Sequence, residues 1–243
     1  MAQISPSGLG KAHTAEWFAV GLRQDLGASK EKNWQSMSYI GLGRKSNPNN
    51  YDPLFKSAIV VFNQEFYHRL KHHWKYAVAI SYRRQNTYLD TAPYTEDALE
   101  LKQEFRLYGR LSYGFAIGNL EIEPTFRQEF RRFYATDFKN ISELLQLRSR
   151  FRLQVKANLD NEKRHRLLFS SEQLFAVSQK NDTRKWTDFN YHESRFSLYY
   201  SYKLNTLPVV LDLGYVHNLV GRSKAYGVHY LALDLVIQNP FHS

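Results

Sequence analysis

The stretch "LQLRSRFRLQVKANL", residues 145–159, alternates two kinds of side chain. Arg148, Arg150 and Arg152 fall on one side of an extended chain, with Lys156 further along it. Leu147, Phe151 and Leu153 fall on the other. Successive side chains of a strand point to opposite faces, so a strand separates these two sets cleanly. The segment is read as a strand with a guanidinium face and an apolar face, and the fold must find a place for each.

The same period recurs along the chain. In 99–115, Leu101, Phe105, Leu107, Leu111, Tyr113 and Phe115 oppose Lys102, Glu104, Arg106, Arg110 and Ser112. Leu120, Ile122 and Phe126 oppose Glu121, Glu123, Arg127 and Glu129. Tyr76, Val78, Ile80 and Tyr82 oppose Lys75, Ser81, Arg83 and Gln85. No helical i, i+3, i+4 pattern persists over three turns. Strands are expected at 15–26, 34–44, 55–69, 74–87, 99–117, 119–133, 142–158, 163–177, 188–204, 207–219 and 226–238.

Most of these exceed the five or six residues usual in soluble proteins, and they exceed the roughly 9–11 that a tilted strand needs to cross a bilayer. Connections alternate in length. Tight ones are "KHH" (71–73), Gly118–Asn119, "DNEK" (160–163) and "NT" (205–206); longer polar ones are 46–53, 87–98, 179–188 and 221–227. Short turns at one end and long loops at the other are the asymmetry of an outer-membrane barrel. Eleven segments make an odd number, whereas bacterial single-chain barrels have an even one. About twelve strands are therefore expected, with ten as the alternative; the extra strand would come from residues 3–13, unless one segment is misread. Residues 1–13 otherwise form an N-terminal segment or plug, and 14–243 the barrel domain.

Composition agrees. The 243 residues include 17 Tyr and 16 Phe, yet mean hydropathy is -0.55, so apolar residues are dispersed. No run approaches the ~20 apolar residues of a membrane-spanning helix, which leaves a barrel open. Cysteine is absent, which suits an oxidising envelope and excludes a thiolate metal site. The opening "MAQISPSGLGKAH" lacks the apolar core of a secretory leader, so Ala2 onward is expected to be a mature N-terminus.

Energetics decide the sidedness. An arginine facing lipid at mid-depth costs about 2–4 kcal/mol, so three on one strand would be prohibitive. Facing a lumen they cost little if water or carboxylates meet them. The expected lumen lining is Arg106, Arg110, Glu121, Glu123, Arg127, Glu129, Arg148, Arg150, Arg152, Lys156 and Glu172. Forked guanidinium–carboxylate pairs are expected among them. Tyr113, Phe115, Phe133, Tyr134, Tyr200 and Tyr202, near strand ends, would form interfacial girdles. The competing folds are soluble β-barrels and sandwiches, whose strands are usually shorter, whose apolar face fills a core and whose polar face meets bulk water.

"FRQEFRRF" (126–133) followed by "LRSRFRLQVKANL" (147–159) resembles the Arg/Glu-rich centre of a Bacteroidota outer-membrane β-barrel family defined as a domain of unknown function. "NYHESRFSLYYSYKLNTLPVVLDLGYVHNL" (190–219), then "HYLALDLVI" (229–237), follows that family's order of closing strands. "EWFAVGLRQDL" (16–26) is similar to its Trp-containing first strand. Residues 87–98 and "SPSGLG" have no counterpart. The resemblance implies an outer-membrane location and carries no catalytic residue.

Other chemistries find little support. His192 and Ser194 in "YHES", with His217 and His229 on neighbouring strands, are the nearest approach to the nucleophile–base pair of a lipid-acting hydrolase, but no G-x-S-x-G elbow exists. His68 and His72 would meet at a metal only on a helix. Glu121 and Glu123 lie beside arginines and read as ion-pair partners rather than acid/base machinery. Gly41 and Gly43 in "GLGRKS" lack the helix a phosphate loop needs. The net charge of +10 invites nucleic acid, but arginines interleaved with glutamates form no basic run, so none is expected.

The reading is a closed all-β outer-membrane barrel with a polar lumen, non-enzymatic and without cofactor or metal. Its role would be structural or that of an envelope-assembly subunit, its lumen occluded by Arg, Glu and Tyr. Outer-membrane lipid, lipopolysaccharide and envelope proteins are its expected partners. A narrow anion-preferring channel, constricted at Arg148, Arg150, Arg152 and Lys156, is the alternative; a lipid-modifying barrel hydrolase is the third.

Overall fold

The computed structural model describes residues 8–26, 33–70, 73–89, 91–96, 102–222 and 225–241. Among them are twelve strands and no helix. In chain order they are β1 (Thr14–Leu26), β2 (Trp34–Lys45), β3 (Lys56–Arg69), β4 (Trp74–Gln85), β5 (Lys102–Tyr113), β6 (Phe115–Ile117), β7 (Leu120–Tyr134), β8 (Glu143–Asn158), β9 (His165–Lys180), β10 (Asn190–Lys203), β11 (Val209–Val220) and β12 (Tyr226–Gln238).

The sheet runs β5-β4-β3-β2-β1-β12-β11-β10-β9-β8-β7, and a β5–β7 pairing closes it. Eleven strands make the ring. The twelfth, β6, continues past β5 beyond Gly114 and pairs only with the start of β7, Phe115↔Ile122 to Ile117↔Leu120. The segment expected at 99–117 is thus broken in two, and its first residues, 99–101, lie outside the described ones. Residues 8–13 add no strand, and residues 1–7 lie outside the described ones. Direction cannot alternate all the way round an odd ring, so one neighbouring pair must run parallel. That pair is β1–β12, in register from Thr14↔His229 to Arg23↔Gln238; every other pair is antiparallel.

Residues 46–55, 135–142 and 181–189 connect strands at one end, the long-loop end. Residues 159–164 and 204–208 and the tight β6–β7 hairpin lie at the other, the short-turn end. Gly118, at φ 57, supplies the positive φ that a two-residue hairpin needs at its first turn position. Asp160 closes the next turn by accepting the backbone N–H groups of Arg164 (3.1 Å) and His165 (2.7 Å).

The interior has two unlike halves. On β1–β3 and β10–β12 it is an apolar core that includes Trp17, Ile59, Tyr199, Val228 and Tyr230. The polar lumen expected from the sequence occupies the other half. Two glycines make the apolar half possible: a Cβ on Gly41 would lie 2.3 Å from the Trp17 ring, and one on Gly214 would lie 2.3 Å from the Tyr199 ring. Glycine there lets a flat ring approach the strand backbone closely.

The outer face is apolar: Ile80, Leu107, Phe151, Leu198, Leu213 and Leu231 are all more than half exposed. Aromatic clusters bracket it. Trp34, His68 and Tyr76 pack together at the short-turn end, as do His165 and Tyr202. Tyr82, Phe105, Tyr134 and Phe138 form a chain of contacts at the long-loop end, and Phe175, Phe189 and Tyr191 another. Tyr134 and Tyr202 thus sit where expected. Phe133 does not: it is buried on the lumen side, under the Arg131 guanidinium (4.9 Å), because it shares parity with Arg131 rather than with Phe130.

Candidate functional site: a charged band between two vestibules

The residues of the lumen lining come from β3–β5 and β7–β10, each placed by strand parity. Glu129 on β7 is fully buried and stands at the centre. Arg127 Nε lies 2.7 Å from its Oε1, Arg150 Nε 2.8 Å from the same atom, and Arg106 Nε 3.7 Å from Oε2. These N–H vectors are not aimed at the carboxylate, whose two oxygens lack a directed hydrogen bond. The contacts are therefore Coulombic, in a medium where charge interacts more strongly than in water.

Above Glu129, towards the long loops, Glu104 takes the forked grip expected of such pairs. Arg131 donates Nε to Oε1 (2.7 Å) and Nη2 to Oε2 (2.6 Å), and Arg106 Nε adds 2.8 Å to Oε1. Beside it, Arg150 Nη1 donates to Glu172 (3.1 Å), and Arg195 pairs with Glu193. Towards the apolar half, Glu65 pairs with Arg110 and accepts the hydroxyls of Tyr67 (2.6 Å) and Tyr108 (3.2 Å). The Arg127 guanidinium stacks 3.5 Å from the Tyr108 ring centroid. Nearer the short turns, Lys75 donates to Glu123 at 3.0 Å and Lys156 at 3.5 Å, while Glu121 accepts from Asn158 at 3.4 Å.

All eleven residues of the expected lining lie on the lumen side, but their partners differ in part from expectation. Glu129 and Glu172 meet arginines of the 148–152 row through Arg150 alone. Glu121 meets an amide. Arg148 donates Nε to Gln146 (3.2 Å), Arg152 has an Nη2 without a hydrogen-bond partner, and neither has a carboxylate within ion-pair distance among the described residues. Glu65, Glu193, Arg131 and Arg195 are network members that the sequence reading left out. Parity identifies them: Glu65 alternates with Phe62 and Phe66, and Glu193 and Arg195 with Phe196 and Leu198.

Two cavities flank the band. The long-loop vestibule, about 270 Å³, is lined by Arg83, Glu104, Arg131, Arg148 and Arg195 among others. The short-turn vestibule, about 430 Å³, is lined by Tyr67, Lys75, Glu121, Glu123 and Lys156 among others. They share no lining residue, and Glu129, Arg106 and Arg150 line neither. The side chains of these three are almost wholly buried in the band between the two cavities. Residues 8–10 narrow the upper vestibule: the Gly8 carbonyl accepts Arg83 Nη2 (2.6 Å), the Leu9 carbonyl accepts Lys45 Nζ (2.8 Å), and the Leu9 N–H donates to the Tyr230 hydroxyl (3.2 Å).

The histidine–serine candidates do not converge. Ser194 contacts the Tyr191 hydroxyl (2.7 Å) and Gln173 (2.5 Å). His192 occupies a bulge where the β9–β10 register shifts, and it lines the vestibule rim. His217 and His229 meet each other on the outer face, with Tyr215 2.6 Å from His229 Nδ1. His72 lies outside the described residues. Gly41 and Gly43 sit inside strand β2, not in a phosphate loop.

No family model matches the chain, and no curated protein matches it. Among solved structures it is similar to an anion-selective porin from Comamonas acidovorans, at 11% identity and a TM-score of 0.27, over 82% of this chain and 55% of that one. The chain spans about half the length of that porin.

Proposed function

We propose that this chain is a bacterial outer-membrane β-barrel whose lumen is closed, acting as a structural barrel or as a subunit of an envelope assembly. One observation carries the closed reading: Glu129, Arg106 and Arg150 are almost wholly buried between the two vestibules and line neither of them. A lipid environment is supported by the apolar outer face and by aromatic clusters at both its ends. On β10, Tyr191 and Tyr202 are ten pairing steps apart once the bulge is counted, opposite Phe175 and His165. At about 3.3 Å per step and a tilt near 40° this is roughly 25 Å along the barrel axis, the height of the apolar band of such barrels. The resemblance of 126–159 and 190–237 to the Bacteroidota barrel family agrees with this placement. Exposed cations beyond the belt, such as Lys185 in the 181–189 loop, suit the anionic head groups of lipopolysaccharide.

The refolded chain in planar bilayers is expected to pass no steady current. The alternative reading, a narrow anion-preferring channel, is favoured by one feature: Arg148 and Arg152 add positive charge to the band without a matching carboxylate. An anion-selective conductance that changes in Arg150→Ala would establish the channel and end the closed reading.

A further inference from the structure

We infer that the long-loop vestibule is a binding site for a small solute carrying an oxyanion, a carboxylate or phosphate group, with Arg148 as its anchor. The site does not depend on whether the band beneath it conducts.

Charge is the first argument. Five cations line this cavity, Arg83, Lys102, Arg131, Arg148 and Arg195, against three carboxylates, Glu104, Glu143 and Glu193. The carboxylates are already engaged. Glu104 is gripped by Arg131 and Arg106, Glu193 by Arg195, and Glu143 accepts from Gln146 and Ser178. Two positive charges are left over, and Arg148 and Lys102 have no ion-pair partner among the described residues.

Geometry is the second. Gln146 Oε1 holds Arg148 by Nε alone, and the same oxygen also accepts Arg131 Nη1. That contact fixes the Arg148 guanidinium while leaving both Nη groups without a protein acceptor. Neither Nη is sealed from solvent, since neither is among the buried unpaired atoms, unlike Arg152 Nη2. A planar fork presented into a cavity is the arrangement that takes a carboxylate or phosphate by two parallel bonds.

The rest of the wall sets the size and character of the ligand. Leu9, Phe133, Val220, Tyr226 and Tyr230 line the cavity beside the cations, so an apolar body has surface to cover. At about 270 Å³ the space lies just below the roughly 300–1,000 Å³ of pockets for drug-sized ligands, so the solute is small.

The test is calorimetric titration of the refolded chain in detergent at fixed ionic strength, with benzoate and with inorganic phosphate as probes. Saturable binding of at least one probe is expected, weakened at least tenfold in Arg148→Gln and partly regained in Arg148→Lys. Tighter binding of benzoate would assign a role to the apolar wall; equal or tighter binding of phosphate would show that the oxyanion alone suffices. No saturable binding of either probe, or equal affinity in Arg148→Gln, overturns the site. Heat-modifiable gel migration checks that each variant folds. Should Arg148→Gln fail that check, arginine Nε–H resonances of the unmutated chain decide: shifts on adding either probe are expected, and their absence refutes the proposal.

Discussion

Trp17 on β1 donates its indole N–H to Asp234 on β12, Nε1 to Oδ1 at 3.1 Å, and both side chains are buried. The bond crosses the parallel seam at which the first and last strands close the ring. Asp234 also stands directly opposite Asp212 in the β11–β12 pair, and its second oxygen has no partner.

Trp17→Phe leaves the ring in place but strands a buried acceptor, so a loss of about 1–3 kcal/mol is expected. Asp234→Asn keeps an acceptor for the indole and removes a carboxyl from beside Asp212. It is expected to be neutral or stabilising. Urea unfolding followed by the heat-modifiable gel shift distinguishes the two; equal losses would contradict the account of the seam.

Gly41→Ala and Gly214→Ala should each cost about 1–3 kcal/mol, the usual penalty for overpacking, because a Cβ would enter the Trp17 or Tyr199 ring. Pairing Gly214→Ala with Tyr199→Leu should recover part of its loss. A double-mutant cycle showing no coupling would argue against that ring contact.

Removing Glu129 leaves Arg106, Arg127 and Arg150 facing one another without their shared counter-charge. Glu129→Ala is expected to cost about 3–5 kcal/mol, the range for breaking a buried ion pair. Glu121→Ala, at the wall of the short-turn vestibule with an amide partner, should cost much less. The comparison of their unfolding midpoints checks the centrality of Glu129.

Leu213 is 58% exposed near the middle of β11. In lipid vesicles, Leu213→Arg should destabilise the folded chain by about 2–4 kcal/mol, the cost of an arginine at mid-depth. Ser197→Arg, which points inward, would fail by steric overfilling rather than by lipid contact, so its loss should persist in detergent while that of Leu213→Arg should shrink. An equal cost for Leu213→Arg in both media would place the apolar face against something other than lipid.

Sidedness was legible in the residues themselves. Arg148, Arg150 and Arg152 lie inside and Leu147, Phe151 and Leu153 outside, because alternation is a local property with a period of two, and the penalty for reversing it is large. Strand positions followed for the same reason, apart from the break at Gly114. Other features required the closed ring. The parallel β1–β12 seam arises from the parity of eleven strands, which no single strand encodes. Which glutamate meets which arginine depends on how far neighbouring strands are staggered, so Glu129 reaches Arg127, Arg150 and Arg106 together while Arg148 and Arg152 are left without a carboxylate. Phe133 faces inward because parity, not nearness to a strand end, sets its side. The apolar half of the lumen depends on contacts between distant positions: Gly41 and Gly214 take on their meaning only where Trp17 and Tyr199 lie against them.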